Sequence, residues 1–145
     1  MASQGLQTEN MCSIQEDVGK RLKDFKFSKS KNARAIILKV NMSEETVEIE
    51  DELDDITTEE LMEELPERQP RYIIYSYVHE TSDGRVMYPL YFIYFKPTGC
   101  KPEQVMRYAG CRDELYILSG AGKMLSLDEK ENLTDEWVRA QGGLK

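Results

Sequence analysis

The sequence predicts a three-layer α+β domain, with a central mixed β-sheet and helices on both faces. Three observations lead there. Residues 71–78 (RYIIYSYV) and 86–95 (VMYPLYFIYF) are rich in β-branched and aromatic side chains and flank Asp83-Gly84, the chemistry of an antiparallel hairpin. The second run is apolar on both faces, so both faces of the sheet need cover. Residues 97–118 then place Val105, Tyr108, Leu115 and Leu118 close to multiples of the helical period. A strand, a long helix and the apolar stretch 123–128 (KMLSLD) make a crossover, which sets the last strand parallel to its neighbour.

In chain order, residues 1–10 are polar and aperiodic and are expected to be a mobile tail; residues 11–145 are expected to form one domain. Ser13 and Glu16 have the spacing of a capping box. Ile14, Val18, Leu22 and Phe25 continue as the stripe of a first helix, leaving Lys20, Arg21 and Lys23 toward water. Residues 33–40 (ARAIILKV) read as a largely buried strand, 41–45 as a polar turn, and 46–50 (TVEIE), which alternate strictly, as a half-exposed partner strand. Thr57 and Glu60 form a second capping box, with Ile56 and Leu61 placed for a hydrophobic staple; Leu61 and Leu65 face inward and Pro66 stops the helix. Pro89 cannot donate to a ladder and marks a bulge or an unpaired position. Pro102 suits the first turn of the long helix, which ends near Gly120 or Gly122. Thr134 caps a final helix anchored by Trp137 and Val138 and closed by Gly142-Gly143.

Composition narrows the function. With 145 residues, 40% hydrophobic and 32% charged, the chain has the profile of a soluble domain, and no apolar run reaches the ~18 residues of a membrane span. No secretory signal pattern opens it, and Ala2 excludes N-myristoylation. A net charge of −8 argues against nucleic acid, and the tyrosines read as buried strand aromatics rather than a base-stacking platform. Charge is segregated: seven bases and one acid in residues 20–34, thirteen acids and no base in 44–67. Such runs are either solvated faces or the means of orienting a charged protein partner. His79 is the single histidine and lies beside a hairpin turn, and there is no glycine-rich phosphate loop or zinc cluster, so no enzyme activity, cofactor or metal is expected. Cys12, Cys100 and Cys111 lack metal-ligand spacing and are expected to be reduced thiols of a monomer. On the long helix, Arg107, Arg112, Asp113 and Glu114 lie between the apolar positions. They are either a solvated face or a face for a partner, since Arg and Tyr are favoured interface anchors.

The segments LPERQPRYIIYSY (65–77), DGRVMYPLYFIYF (83–95) and PTGCKPEQVMRYAG (97–110) resemble the glia maturation factors. These are a branch of the actin-depolymerising factor homology (ADF-H) group that includes cofilin. The similarity runs from about Cys12 to Trp137 and takes in KDFKF (23–27) and NLTDEW (132–137). The resemblance implies an ADF-H/cofilin-like fold in a cytoplasmic protein of the actin cytoskeleton, found also in the nucleus. It implies binding to the actin-related protein 2/3 complex, inhibition of nucleation and promotion of filament debranching. By the same resemblance the main contact falls on Met11, Ser13, Arg21, Lys23, Gln104, Arg107, Tyr108, Arg112 and Asp113. A second surface, toward the first actin subunit of a branch, falls on His79, Ser82, Asp83, Arg85, Glu136 and Arg139. The alternative within the fold is a cofilin-like, filament-severing protein; Glu114, where the family commonly carries a base, speaks against it.

Overall fold

The computed structural model of the chain describes residues 12–144; the expected tail at 1–10, and Met11, lie outside them. The order is β1 (Ser13–Ile14), α1 (Glu16–Lys26), β2 (Arg34–Asn41), β3 (Thr46–Asp54), α2 (Thr58–Glu63), β4 (Arg71–Ser76), β5 (His79–Glu80), β6 (Val86–Met87), β7 (Leu90–Phe95), α3 (Pro102–Ser119), β8 (Lys123–Leu127) and α4 (Asp135–Gly142), with a short 3₁₀ turn at Lys130–Asn132 before α4. Six strands form one mixed sheet in the order β1-β3-β2-β4-β7-β8. β3, β2, β4 and β7 are successively antiparallel, through pairs such as Ile36↔Ile74 and Tyr72↔Tyr94. The crossover through α3 sets β8 parallel to β7, with Phe92 opposite Met124.

Alternation along the central strands divides the core in two. On one face Ile36, Leu38, Tyr72, Ile74, Phe92 and Tyr94 pack with Val18, Leu22 and Phe25 of α1 and with Tyr108, Cys111 and Leu115 of α3. On the other, Ala35, Ile37, Ile73, Tyr75, Ile93 and Phe95 pack with Leu61 of α2, Leu65 and Val138 of α4. Every residue of β4 is buried, as a strand covered on both faces requires.

Local chemistry sets several helix ends. Thr57 and Glu60 form the capping box, each side chain bonded to the other's backbone N–H. Pro102 sits in the first turn of α3, and Gly120 ends that helix with φ of 70°, a left-handed conformation that glycine takes without a Cβ clash. The Thr134 hydroxyl accepts the N–H of Trp137 at the start of α4.

Four expectations are corrected. Ser13 is not a helix cap: Gln15 holds that position without a side-chain bond, and Ser13–Ile14 run parallel to Thr46–Val47 instead. The open edge of β3 takes this backbone, while Ile14 still packs against the core that α1 faces. Residues 86–95 are not one strand. The ladder breaks at Tyr88-Pro89, where the Pro89 carbonyl accepts the N–H of Tyr77, and β5 with β6 forms a separate ribbon. Leu118 is 43% exposed and Ser119 is buried. At 100° per residue, Ser119 falls within about 20° of Tyr108 around the axis and Leu118 about 80° away. Finally, the cysteines are not all thiols: Cys12 and Cys111 form a disulfide with their Cα atoms 5.0 Å apart, leaving Cys100 free.

Candidate partner-binding face

The long helix α3 is fixed to the sheet at its centre. The Tyr108 hydroxyl accepts the N–H of Val40 at 2.9 Å, and the Tyr108 carbonyl accepts the Tyr72 hydroxyl at 2.5 Å. Arg71, itself 7% exposed, reaches the same hydroxyl at 3.5 Å and holds Glu50 through two bonds of 2.8 and 3.2 Å. Burial pushes the Tyr108 phenol up from its ordinary pKa, opposed by the Val40 bond and the Arg71 charge. The side chain of Tyr108 is therefore a core group, and the structure does not offer it to a partner.

Arg107 and Arg112 leave the helix on opposite flanks, about 140° apart at 100° per residue. Arg107 turns toward the β2–β3 turn, where its Nη2 lies 3.3 Å from Oε1 of Glu45. Glu45 is held there with φ of 59°, its N–H bonded to the Asn41 carbonyl. Arg112 turns toward β7: its guanidinium carbon lies 5.7 Å from the Tyr94 ring, and its Nε donates to Oδ1 of Asp113 at 3.0 Å. That bond is the main influence pushing the Arg112 pKa up, against partial desolvation. Gln104 is half-buried and Asp113 exposed.

The N-terminal segment reaches the same helix. Ser13 is exposed on the edge strand, next to Cys12, which is bridged to Cys111 one helical turn beyond Arg107. Arg21 and Lys23 are exposed on α1, and Arg21 is ion-paired to Glu52. Four acids of the run thus meet the chain's own bases: Glu45, Glu50, Glu52 and Glu67 pair with Arg107, Arg71, Arg21 and Lys130. Spacing in the sequence carries no sign of those partners.

Two residues that sequence reasoning passed over stand out. Met106 is 64% and Ile117 77% exposed. Each lies about 160–180° from Tyr108 around the axis, on the solvent side. An apolar residue so far off the buried stripe was the available signal. Below them, Ile14, Gly19, Ile117 and Leu118 line a shallow groove between α1 and α3.

The second candidate surface is partly brought together. Ser82, Asp83 and Arg85 are exposed around Gly84, whose φ is 90°. The Asp83 carboxylate accepts from the Thr81 hydroxyl and, at 3.1 Å, from Arg85 Nε. The Thr81 bond first, and then Arg85, pull its pKa down. His79, by contrast, is 6% exposed, because the ribbon's base turns it inward. It therefore adds no accessible side chain to the tip. Glu136 and Arg139 are exposed on α4. The Tyr77 hydroxyl links that helix to the base of the ribbon, donating to Asp135 at 3.1 Å and accepting from Arg139 at 3.4 Å. Among the described residues no group of His, Cys, Asp and Glu could hold a metal ion, and no helix is long and apolar enough to cross a membrane.

Residues 11–142 match the family described as cofilin/tropomyosin-type actin-binding protein. The chain is similar to glia maturation factor beta of Homo sapiens, with 44% identity over 133 residues, covering 92% of this chain and 94% of that protein. It is also similar to the glia maturation factor of Drosophila melanogaster, with 39% identity over 131 residues, covering 90% and 95%. Among solved structures, that of glia maturation factor from Caenorhabditis elegans superposes with a TM-score of 0.78 at 37% identity, covering 90% of this chain and 95% of the other. A Streptomyces griseoflavus cofilin shares the fold, with a TM-score of 0.77 at 22% identity over 89% and 95% of the two chains.

Proposed function

The chain belongs to the cofilin/tropomyosin-type actin-binding family, in its glia maturation factor branch, and from that premise we propose that it regulates branched actin. In this reading it binds the actin-related protein 2/3 complex, inhibits nucleation and promotes dissociation of branches. The observation that carries the reading is the near full-length similarity to glia maturation factors, over 92% of this chain.

The geometry is in keeping with it. A protein groove that receives a helix needs apolar groups on the solvent side and charges at the margins. α3 has Met106 and Ile117 on that side and Arg107 and Arg112 on the two flanks. Arg21, Lys23, Ser13 and Gln104 extend the face, with Met11 adjoining in the sequence. The tip residues Ser82, Asp83 and Arg85, with Glu136 and Arg139, form the second surface, toward an actin subunit. A hairpin tip can reach a second protein without disturbing the core.

The test is a branch-lifetime measurement with and without the protein, paired with capture of the seven-subunit complex and of actin. Shortened branch lifetime with preferential capture of the complex supports the proposal. Capture of actin with filament severing would favour the cofilin-like alternative, against which Glu114, exposed on α3, places a negative charge.

A further inference from the structure

We propose that the Cys12–Cys111 bridge is a redox-responsive tether, closed and opened by disulfide exchange with glutathione, that docks the N-terminal segment onto the long helix. Its effect on partner binding rests on the function proposed above; its closure does not.

The two cysteines are 99 residues apart in sequence, yet their Cα atoms are 5.0 Å apart, within the usual reach of a disulfide. Cys111 lies in the middle of α3 and is fully buried. Cys12 is 5% exposed and stands at the outer end of β1. That strand meets β3 through two residue pairs, Ser13↔Thr46 and Ile14↔Val47. So short a pairing is marginal alone. The bridge adds a covalent link from this segment to α3, beside the packing of Cys12 and Ile14 on the core.

The chemistry closes without another cofactor. The Cys12 thiolate attacks oxidised glutathione and releases one glutathione thiolate. The Cys111 thiolate then attacks Sγ of the mixed disulfide and releases the second. The two cysteine protons end on the two glutathione thiols, and the protein dithiol has lost two electrons to the glutathione disulfide. Entry is through Cys12, the more exposed of the two, which adjoins a two-residue edge strand, whereas Cys111 is held inside α3. Cys100 stays apart: it is half-buried, its Sγ donates to the Pro97 carbonyl at 3.1 Å, and burial pushes its thiol pKa up.

Closure places Ser13 at a set distance from Arg107 and Arg112 before a partner arrives. In the open state the partner must order Ser13 and Ile14 itself, so the closed state binds about tenfold more tightly.

The experiment equilibrates the unmodified protein in glutathione buffers of graded ratio, traps thiols with a mass-tagging alkylator, and measures hydrogen exchange at residues 13–14 and affinity for the complex. Cys12 and Cys111 are expected to lose the tag together while Cys100 keeps it. Exchange at residues 13–14 is expected to slow about tenfold or more on closure. Cys111→Ser should hold the reduced behaviour in every buffer. Persistence of both thiols in excess oxidised glutathione, arrest at a mixed disulfide on Cys12, or identical exchange in both states would overturn the tether. Equal affinity of the two states would overturn its control of the face. Slowed exchange on closure with no binding to the complex in either state would keep the tether and reject the function on which its effect rests.

Discussion

The hydroxyl of Tyr108, in the middle of the long helix, accepts the backbone N–H of Val40 at 2.9 Å. The same residue's carbonyl takes a bond from the Tyr72 hydroxyl on the neighbouring strand. A tyrosine that reads as an interface anchor is the attachment of the helix to the sheet. Tyr108→Phe leaves the Val40 N–H buried and unpaired, a cost of about 1–3 kcal/mol. Melting temperature should fall by roughly 3–10 °C with affinity for the complex unchanged. A loss of affinity at intact stability would return Tyr108 to the interface.

Arg112 makes the opposite case. Its side chain is 37% exposed, and its described partners are Asp113 on its own helix and the Tyr94 ring. Arg112→Ala should weaken binding to the complex about thirtyfold, the equivalent of ~2 kcal/mol for a desolvated interface arginine. The melting curve should hardly move, since an exposed pair contributes under about 1 kcal/mol. A binding titration and a thermal melt separate the two roles. Unaltered affinity would take Arg112 out of the interface, and a large drop in Tm would make it structural.

At the ribbon tip, Ser82, Asp83 and Arg85 can be replaced by alanine together while Gly84 keeps the turn. Debranching should fall, with affinity for the isolated complex retained. Equal losses in both assays would mean that the tip does not act on a separate partner. His79 is left out because its burial would turn the substitution into a test of folding.

Alkaline pH should unfold the protein through its tyrosines. Burial raises the pKa of Tyr72, Tyr75 and Tyr108 above the ordinary phenol value of 10.0. A pKa raised in the folded state means that folding favours the neutral phenol. Stability is therefore fully present below the unfolded pKa near 10.0 and is lost as pH climbs from there toward the folded values. Each such phenol removes about 1.4 kcal/mol per pH unit in that window. Tyrosinate absorbance should rise together with loss of structure. A smooth titration of these phenols near 10 in a still-folded protein would refute it.

Features that depend on near neighbours were legible. The capping box at Thr57 and Glu60, proline in the first turn of α3 and the cap at Thr134 stand where spacing put them, and of the two glycines read as the end of α3, Gly120 closes it. The two-faced apolar run of β7 correctly implied helices on both sides of the sheet. The crossover correctly implied a parallel last strand.

Local pattern misled wherever a distant surface competed for the same residues. Ser13 and Glu16 have the capping spacing, but the open edge of β3 claimed the Ser13–Ile14 backbone. Leu118 fits an approximate period, yet eleven residues of rotation from Tyr108 bring Ser119 to the core instead.

The sequence by itself determined the helices, the central strands and the two apolar faces of the sheet, because these follow from backbone geometry and from periods of two and 3.6 residues. Only the tertiary structure decided which polar side chains meet. It tied the Tyr108 hydroxyl to the Val40 N–H, gave Arg107 to Glu45 and Arg21 to Glu52, and brought Cys12 to Cys111 across 99 residues. Those pairings depend on how layers close over one another, and the closing of layers leaves no period in the chain.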